Sequence, residues 1–408
     1  MPKKREETGG SLPRVTGGGK LGAMTHDHSS CCGGHGHHHD HDHSHGADAT
    51  GAADLSGPAE SPIVVEVTRG GMVESVHRAR ACIVDAGGHV LARWGDIDAP
   101  VYPRSAIKAL QAIPLVESGA LDAFGLGDAE LALACSSHSG EPVHTERVAA
   151  WIARVGLTVE DFECGAQIPY DSGTAAGLVR DGVAPSALHN NCSGKHAGFL
   201  TTARHRGEPT RGYVRFDHPV QQRILGVMEQ MTGQDLSRAP WGIDGCSIPT
   251  VGVPLGAIAY AMARIADPVD LPDARAEAVT RIAGAWRAHP HLIAGRNRFD
   301  TAMMQAADGL VLVKGGAEGV GCAVLPEAGI GIALKIEDGG DRAREVALAA
   351  LIRSTKVLGE EHWARAATLL EAPITSRVGR PVGVVRAAGG FPSLLDHPDQ
   401  AGVELSRP

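Results

Sequence analysis

A serine and a lysine three residues apart form the first group in this sequence that could carry out acyl transfer. Ser105-Ala106-Ile107-Lys108 follows Pro103 at the start of a helical run. Because positions i and i+3 share one face of a helix, the Lys108 amine can reach the Ser105 hydroxyl. A desolvated lysine can then accept the serine proton. A helix-capping serine followed by a surface lysine is the ordinary alternative.

Two further motifs lie downstream. Residues 136–141, Ser-Ser-His-Ser-Gly-Glu, follow an apolar run, and Lys314-Gly315-Gly316 ends a β-like run. A capping box at Glu141 explains the first motif taken alone, and a simple turn explains the second. Together with the Ser105–Lys108 pair, however, they reproduce the order of motifs in penicillin-recognising serine enzymes.

A fourth group contains two cysteines in Gly-rich segments. Cys192 lies beside Lys195 and His196, and Cys246 follows Asp244. These residue types suit a nucleophilic thiol or a partial metal site. Two buried structural cysteines would show the same spacing, so all three interpretations stay open.

The elements that must position these groups are strands at both ends and helices between them. β-like runs occupy residues 63–67, 72–85 and 89–94, and again residues 310–314, 321–325 and 330–336, each set with Gly-rich turns. A helix is predicted at 342–358. Because the long middle stretch is mainly helical, we expect an α+β fold: one sheet lobe built from both ends of the chain and an inserted all-α lobe.

Composition narrows the class of protein. The 408 residues are 43% hydrophobic, which is enough for a large core, and 47 acidic against 38 basic residues give a net charge of -9. This balance argues against nucleic-acid partners. No export signal or membrane-length apolar run is evident, so a cytoplasmic protein without a membrane partner is expected. The eight cysteines are expected to be reduced thiols or metal ligands.

Residues 1–60 are predicted to be a disordered tail, and residues 61–405 the folded domain. The tail contains few branched aliphatic residues and could bind Zn, Ni or Cu. Met24 could equally be the true start. The tail's candidate ligands are His26, His28, His35, His37, His38, His39, His41, His43, His45, Cys31 and Cys32.

The sequence resembles the asparaginase II family, the Rhizobium-type or class 3 L-asparaginases, over about Ile63 to Gly390. The resemblance is carried by several ordered motifs. They are residues 68–71 (Thr-Arg-Gly-Gly) with 73–75, 104–108 (Arg-Ser-Ala-Ile-Lys), 136–139 (Ser-Ser-His-Ser), 191–196 (Asn-Cys-Ser-Gly-Lys-His), 217–219 (Asp-His-Pro), 244–246 (Asp-Gly-Cys) and 314–318 (Lys-Gly-Gly-Ala-Glu).

The resemblance implies a serine β-lactamase or glutaminase-like fold, a homodimer and hydrolysis of L-asparagine. It matches Ser105 with Lys108, and Ser137 with Lys314, to two Ser-Lys tandems. Cys192, Lys195 and Cys246 match zinc ligands beside the substrate pocket, where zinc would orient substrate. Residues 296–300 lack the cysteine that Rhizobium-type members place there, so the role of that thiol does not transfer.

For amide hydrolysis we expect Ser105 to be the nucleophile and Lys108 its base, with Ser137 and Lys314 relaying a proton to the leaving group. The reverse order, with Ser137 as the nucleophile, stays open. Arg104, His196 and Asp244 are candidates to bind the carboxylate and ammonium groups of the amino acid. Two alternatives also remain: a glutaminase or penicillin-interactive serine hydrolase, and a metal-binding protein that acts through its His-rich tail.

Overall fold

One antiparallel sheet is built from both ends of the chain in a computed structural model that describes residues 61–392. Its strands are β1 (Ile63–Arg69), β2 (Met72–Asp85), β3 (Val90–Trp94), β8 (Leu312–Gly315), β9 (Val320–Leu325), β10 (Ile330–Ile336), β11 (Glu371–Thr375) and β12 (Pro381–Ala387). The strand order is β11-β12-β1-β2-β10-β9-β8, and β3 also pairs with β2. The long strand β2 pairs with β1 through its first half, and with β3 and β10 through its second.

Two short pairs of strands lie outside this sheet within the described residues. They join β4 (Pro100–Val101) to β7 (Val253–Pro254), and β5 (Trp241–Ile243) to β6 (Pro249–Val251). The β4–β7 pair brings residues 253–254 next to residues 100–101, just before the Ser105 turn, and the β5–β6 pair folds residues 241–251 into a hairpin. This places Asp244 and Cys246 in the loop between β5 and β6.

Helices fill the middle of the chain, as the sequence predicts. They are α1 (Lys108–Glu117), α2 (Ala120–Ala123), α3 (Asp128–Ala134), α4 (Pro142–Arg154), α5 (Ser172–Arg180), α6 (Ser193–Arg206), α7 (Pro219–Thr232), α8 (Leu255–Ala266), α9 (Asp273–Ala288), α10 (Pro290–Ile293), α11 (Phe299–Ala306), α12 (Asp341–Ser354), α13 (Glu360–Arg365) and α14 (Ala367–Leu370). 3₁₀ turns cover Arg104–Ile107, Val159–Asp161, Ala187–His189 and Pro326–Ala328.

Helices α1 and α6 are buried on nearly all sides. In α1 every residue from Lys108 to Val116 is buried, and in α6 every residue from Ser193 to Ala203. A helix with no solvent face packs against neighbours all round. Both helices therefore sit in the interior of the helical lobe, and polar side chains at their first turns are held inside the protein.

Two glycines let helices cover opposite faces of the sheet. A Cβ at Gly331 of β10 would lie 2.0 Å from Ala259 O of α8, and one at Gly321 of β9 would lie 3.2 Å from Arg344 of α12. Gly321 pairs with Leu334, which is three residues from Gly331 and so on the other face. The sheet is therefore covered by α8 on one side and α12 on the other.

The α+β prediction is confirmed. The strands predicted at both ends are present within a residue or two of their expected bounds, and the helix predicted at 342–358 occupies Asp341–Ser354. Strands β11 and β12 were not predicted. The His-rich tail and its metal ligands lie outside the described residues.

Candidate active site

The polar loop after α3 is enclosed by the protein. Residues 136–141 are all buried, although six polar or small residues in a row would ordinarily lie at the surface. The loop is held by backbone hydrogen bonds from Ser137 N to Ile293 O (2.8 Å) and from His138 N to Asn191 O (3.2 Å). These bonds hold Ser137, whose exposed fraction is 8%, at the end of α10 and hold His138 against the segment just before α6.

Lys108 directs its amine to this loop. The side chain is fully buried, and Nζ donates to Ser136 O (2.5 Å), Ser137 Oγ (3.0 Å) and Cys192 Sγ (3.2 Å). A buried ammonium has three donors and needs a partner for each, and these three atoms supply them. Burial lowers the pKa of Lys108.

Lys314 reaches the same hydroxyl from β8. Its Nζ lies 2.9 Å from Ser137 Oγ and 2.6 Å from Gly315 O, and the side chain is fully buried. Burial lowers the pKa of Lys314 to about 7, an effect that the Asp300 carboxylate opposes and the Lys108 and Arg344 charges reinforce. The Ser137 hydroxyl therefore lies between two buried amines.

The expected Ser105–Lys108 contact is not present in the structure. Ser105 makes no side-chain hydrogen bond within residues 61–392, and it lies on a 3₁₀ turn that ends where α1 begins. The i, i+3 argument is valid along a regular α-helix, but here Lys108 is the first α-helical residue and its buried amine takes its acceptors from the loop at 136–137. Gly316 packs against this turn, because a Cβ there would lie 2.9 Å from Pro103 O.

The two cysteines lie together beside Lys108. Lys195 Nζ donates to Cys246 Sγ (3.0 Å), and Cys192 Sγ lies next to both Lys108 Nζ and Asn191 Oδ1. All three side chains, Cys192, Lys195 and Cys246, are buried. Gly194 makes this possible, since a Cβ there would lie 2.2 Å from Leu133 O, so that only glycine lets α6 begin against the end of α3.

Charge is distributed unequally across this cluster. The hydrogen bond from Cys246 and the lysine charges lower the pKa of Cys192 well below its ordinary value, against the effect of burial. The same hydrogen bond and burial raise the pKa of Cys246. Burial opposes the charge of Lys195, but the two sulfur atoms and Asp244 raise its pKa overall.

These three residues offer donors that fit a zinc ion. Two sulfur atoms and an amine nitrogen are ligands that zinc accepts, and a thiol that ionises readily is the form that binds metal. Binding would require Lys195 to lose its proton. Elsewhere, the side chains of Glu141, His144 and His291 lie within 4.8 Å of one another, but Glu141 is already bound to Arg296 and Ser139.

Two of the three candidate substrate-binding residues, Arg104 and Asp244, lie together. Arg104 Nη2 donates to Asp244 Oδ1 (2.7 Å), and both side chains are only partly exposed. Burial of Asp244 is outweighed by Lys195 and Arg104, which lower its pKa. Arg104 adopts a φ of 51°, a left-handed conformation that is costly for a residue with a side chain. Such strain is often found at functional sites.

His196 is held apart from the serine cluster. Its Nδ1 lies 2.7 Å from Tyr213 Oη, and its buried Nε2 has no hydrogen-bond partner among the described residues. Because Glu163 N donates to the same Tyr213 oxygen, the phenol proton is free to bond Nδ1. Burial lowers the pKa of His196 well below its ordinary value, so the ring is neutral.

A buried carboxylate beside Lys314 was missed by the sequence analysis. Asp300 Oδ2 accepts from Gly315 N (3.0 Å) and lies 3.8 Å from Lys314 Nζ, while Oδ1 lies 3.7 Å from Arg344 Nη1. Its position, second in α11, gave no signal, because a first-turn acidic residue is common in any helix.

The family model for L-asparaginase II matches residues 65–387. The chain belongs to this family. Among curated proteins, no relative matches. No helix within residues 61–392 has the length and apolar character needed to cross a membrane.

Solved structures give only distant matches. A β-lactamase from Mycobacterium bovis is 12% identical over 69% of this chain and 95% of that one, with a TM-score of 0.38. D-alanine carboxypeptidase AmpC from Burkholderia cenocepacia is 12% identical over 68% and 93%, with a TM-score of 0.35. Simvastatin synthase from Aspergillus terreus is 12% identical over 71% and 94%, with a TM-score of 0.32. Similarity at this level carries no argument about this chain.

Proposed function

We propose that this L-asparaginase II family member hydrolyses the side-chain amide of L-asparagine to L-aspartate and ammonia, with Ser137 as the nucleophile. The observation that carries the proposal is the position of Ser137 Oγ, 3.0 Å from Lys108 Nζ and 2.9 Å from Lys314 Nζ. Of the two orders left open by the sequence, this one is favoured because Ser105 has no lysine partner in the part of the chain that the structure describes.

Lys314 is the proton acceptor in this mechanism. Its amine, with a pKa of about 7, is largely neutral in mildly alkaline solution, so it can take the Ser137 proton as Oγ attacks the amide carbon. The C–N bond then breaks, and the proton returns from the Lys314 ammonium to the departing amine to give ammonia. Water cleaves the resulting ester and regenerates the serine.

Lys108 supplies a fixed hydrogen-bond donor beside the reacting oxygen. It donates to Ser136 O as well as to Ser137 Oγ, so it holds the loop and the hydroxyl in register. A preorganised donor in a water-poor site stabilises developing negative charge more than water would. Lys108 is therefore assigned to orientation and electrostatic stabilisation, in place of the base role expected from the sequence.

Substrate recognition is assigned to Arg104 and Asp244. An amino acid carries a carboxylate, which can bind the Arg104 guanidinium, and an ammonium, which can bind the Asp244 carboxylate. His196 remains a candidate donor through its unpartnered Nε2. We further propose zinc bound by Cys192, Lys195 and Cys246, where the ion would supply positive charge to orient substrate. A homodimer and a cytoplasmic location remain expectations.

Ammonia release by purified protein tests the proposal directly. The wild type, Ser137→Ala and Ser105→Ala should each be assayed with three substrates. Asparagine and glutamine are followed by ammonia release, and a chromogenic β-lactam by its colour change. Preferred turnover of asparagine that is lost in Ser137→Ala is the expected result. Preference for glutamine or the β-lactam would favour a glutaminase or a penicillin-interactive serine hydrolase. No turnover of any of the three substrates would favour the hypothesis of a metal-binding protein that acts through its tail.

A further inference from the structure

The Asp300 carboxylate contacts two buried cations and the backbone between them. Its exposed fraction is 6%, and its two oxygens are used separately: Oδ2 by Gly315 N–H and the Lys314 amine, Oδ1 by the Arg344 guanidinium. A carboxylate this deeply buried is costly unless opposite charges and hydrogen bonds compensate it. Here the opposite charges come from Lys314, whose amine reaches Ser137, and from Arg344, and the hydrogen bond comes from Gly315 N–H.

Arg344 closes the other side of the same strand end. A Cβ at Gly315 would lie 2.1 Å from Arg344 Nη1, so the guanidinium packs directly on that backbone. Arg344 Nε donates to Asp341 Oδ1 (3.1 Å) and Nη2 to Glu345 Oε1 (3.2 Å). Within residues 61–392, Nη1 makes no hydrogen bond, and it lies 3.7 Å from Asp300 Oδ1. Gly315 is therefore held by a hydrogen bond from its N–H to Asp300 and by the Arg344 guanidinium, which packs over its Cα.

We propose that Asp300 is a positioning residue. It holds the end of β8 so that the Lys314 amine remains within hydrogen-bond distance of Ser137 Oγ, and it supplies the negative charge beside this amine. The inference rests on the proposed function, in which Lys314 accepts the Ser137 proton. It goes beyond that function because it assigns a role to a residue that touches neither the substrate nor the hydroxyl.

Asp300 is the negative group in otherwise cationic surroundings. The groups around Lys314 Nζ are Asp300 and Arg298 from the start of α11, Arg344 from α12, Lys108 from α1, Cys135 after α3 and Cys322 on β9. Burial raises the pKa of both thiols to about 12, so they are neutral. Removing the Asp300 charge leaves Lys314 facing cations, which favours loss of its proton.

The test is Asp300→Asn, which keeps an acceptor for Gly315 N–H but removes the charge. Asp341→Asn is the matched control, because it removes one negative charge from the same arginine at an exposed position. In Asp300→Asn the acid limb of the pH profile for kcat/KM should move to lower pH by about one unit or more, and the plateau should fall because the base is weaker. In Asp341→Asn the limb should stay at the wild-type position.

A second readout does not depend on asparagine. Phenylmethanesulfonyl fluoride reacts with an activated serine, and the labelled residue can be mapped by mass spectrometry across the pH range. The labelling limb at Ser137 should shift in Asp300→Asn in the same direction as the activity limb. If wild-type protein labels at Ser137 but releases no ammonia from any amide, the proposed function fails while the inference is still tested by the labelling limb.

Asp300→Glu covers the case in which the Asn variant does not fold. Glutamate keeps the charge but moves the carboxylate by one methylene, so the limb should stay close to that of the wild type while kcat falls. An Asp300→Asn limb that coincides with that of the wild type would overturn the inference. A fully wild-type profile and kcat for Asp300→Glu would equally refute the positioning role.

Discussion

The protonation of Lys314 gives a prediction that can be worked out from the structure. In the proposed mechanism turnover requires the neutral amine, and with a pKa of about 7 the neutral fraction is about 0.9 at pH 8 and about 0.1 at pH 6. The amine is neutral above its pKa, so activity should rise with pH and level off. We therefore expect kcat/KM for asparagine to fall about tenfold between pH 8 and pH 6.

Lys314→Met removes the amine while keeping a side chain of similar length. The loss of the proton acceptor should lower kcat by about 10²- to 10⁴-fold, the range for one acid–base group. Lys335→Met is the control, because Lys335 lies on the same sheet but its amine bonds to its neighbour's carbonyl, Ile336 O. It should keep near-normal turnover.

The same substitution should change stability in a pH-dependent way. Burial lowers the pKa of Lys314 from its ordinary 10.5 to about 7, and one pKa unit is worth about 1.4 kcal/mol, so the fold disfavours the charged amine by about 5 kcal/mol. The unfolded chain keeps the proton up to its higher pKa, so the wild type gains stability as pH rises between about 7 and 10.5. Lys314→Met lacks this gain.

Calorimetric measurement of hydrolysis heat gives the activity profile without coupling enzymes, and urea unfolding at several pH values gives the stability difference. The advantage of Lys314→Met over the wild type should shrink by about 1.4 kcal/mol per pH unit across that window. A flat activity profile between pH 6 and pH 8, together with a stability difference that does not vary with pH, would refute a lowered pKa for Lys314.

Three further predictions follow from the site and the tail. Ser137→Ala should reduce kcat by about 10³-fold or more and Ser105→Ala by far less, as measured by ammonia release; equal losses would return Ser105 to the chemistry. Cys192→Ala or Cys246→Ala should lower the zinc content found by elemental mass spectrometry and raise the asparagine concentration needed for half-maximal rate, whereas a loss confined to kcat would indicate a catalytic metal or thiol. Deleting residues 1–57 should leave activity and thermal stability nearly unchanged but remove most of the capacity for extra divalent metal, and a severe loss of activity would mean that the tail acts on the domain.

Local patterns were enough to predict most of the sheet. Strands β1, β2 and β3 alternate or run apolar between glycine turns, β9 is a continuous apolar run, and β10 is apolar except for Lys335, so these strands are visible without tertiary information. Strands β11 and β12 are different. β11 is the edge strand and contains Pro373, β12 begins at Pro381, and most residues of both are exposed or half-buried, all of which weakens the strand signal.

The residues of the site were largely identifiable, but their pairing was not. Residue types and motif order identified Lys108, Ser137 and Lys314. The partner of Lys108, however, is decided by which acceptors surround a buried amine, and those come from a loop 28 and 29 residues away. Asp300 was missed for the same reason, since its contacts with Lys314 and Arg344 arise only when α11, β8 and α12 pack together.

Burial of Lys314 both lowers the pKa of its amine and requires close packing of the surrounding backbone. A solvated lysine would keep its proton at neutral pH, whereas enclosure by α1, β8 and the loop at 136–141 lowers the pKa of the Lys314 amine to about 7. Enclosure in turn requires backbones to approach closely, at Gly194 on α6 and at Gly316 after β8, where a Cβ would meet backbone atoms within 3 Å. Gly194 and Gly316 therefore help to keep the pKa of Lys314 low, because a side chain at either position would force apart the elements that shield the amine from water.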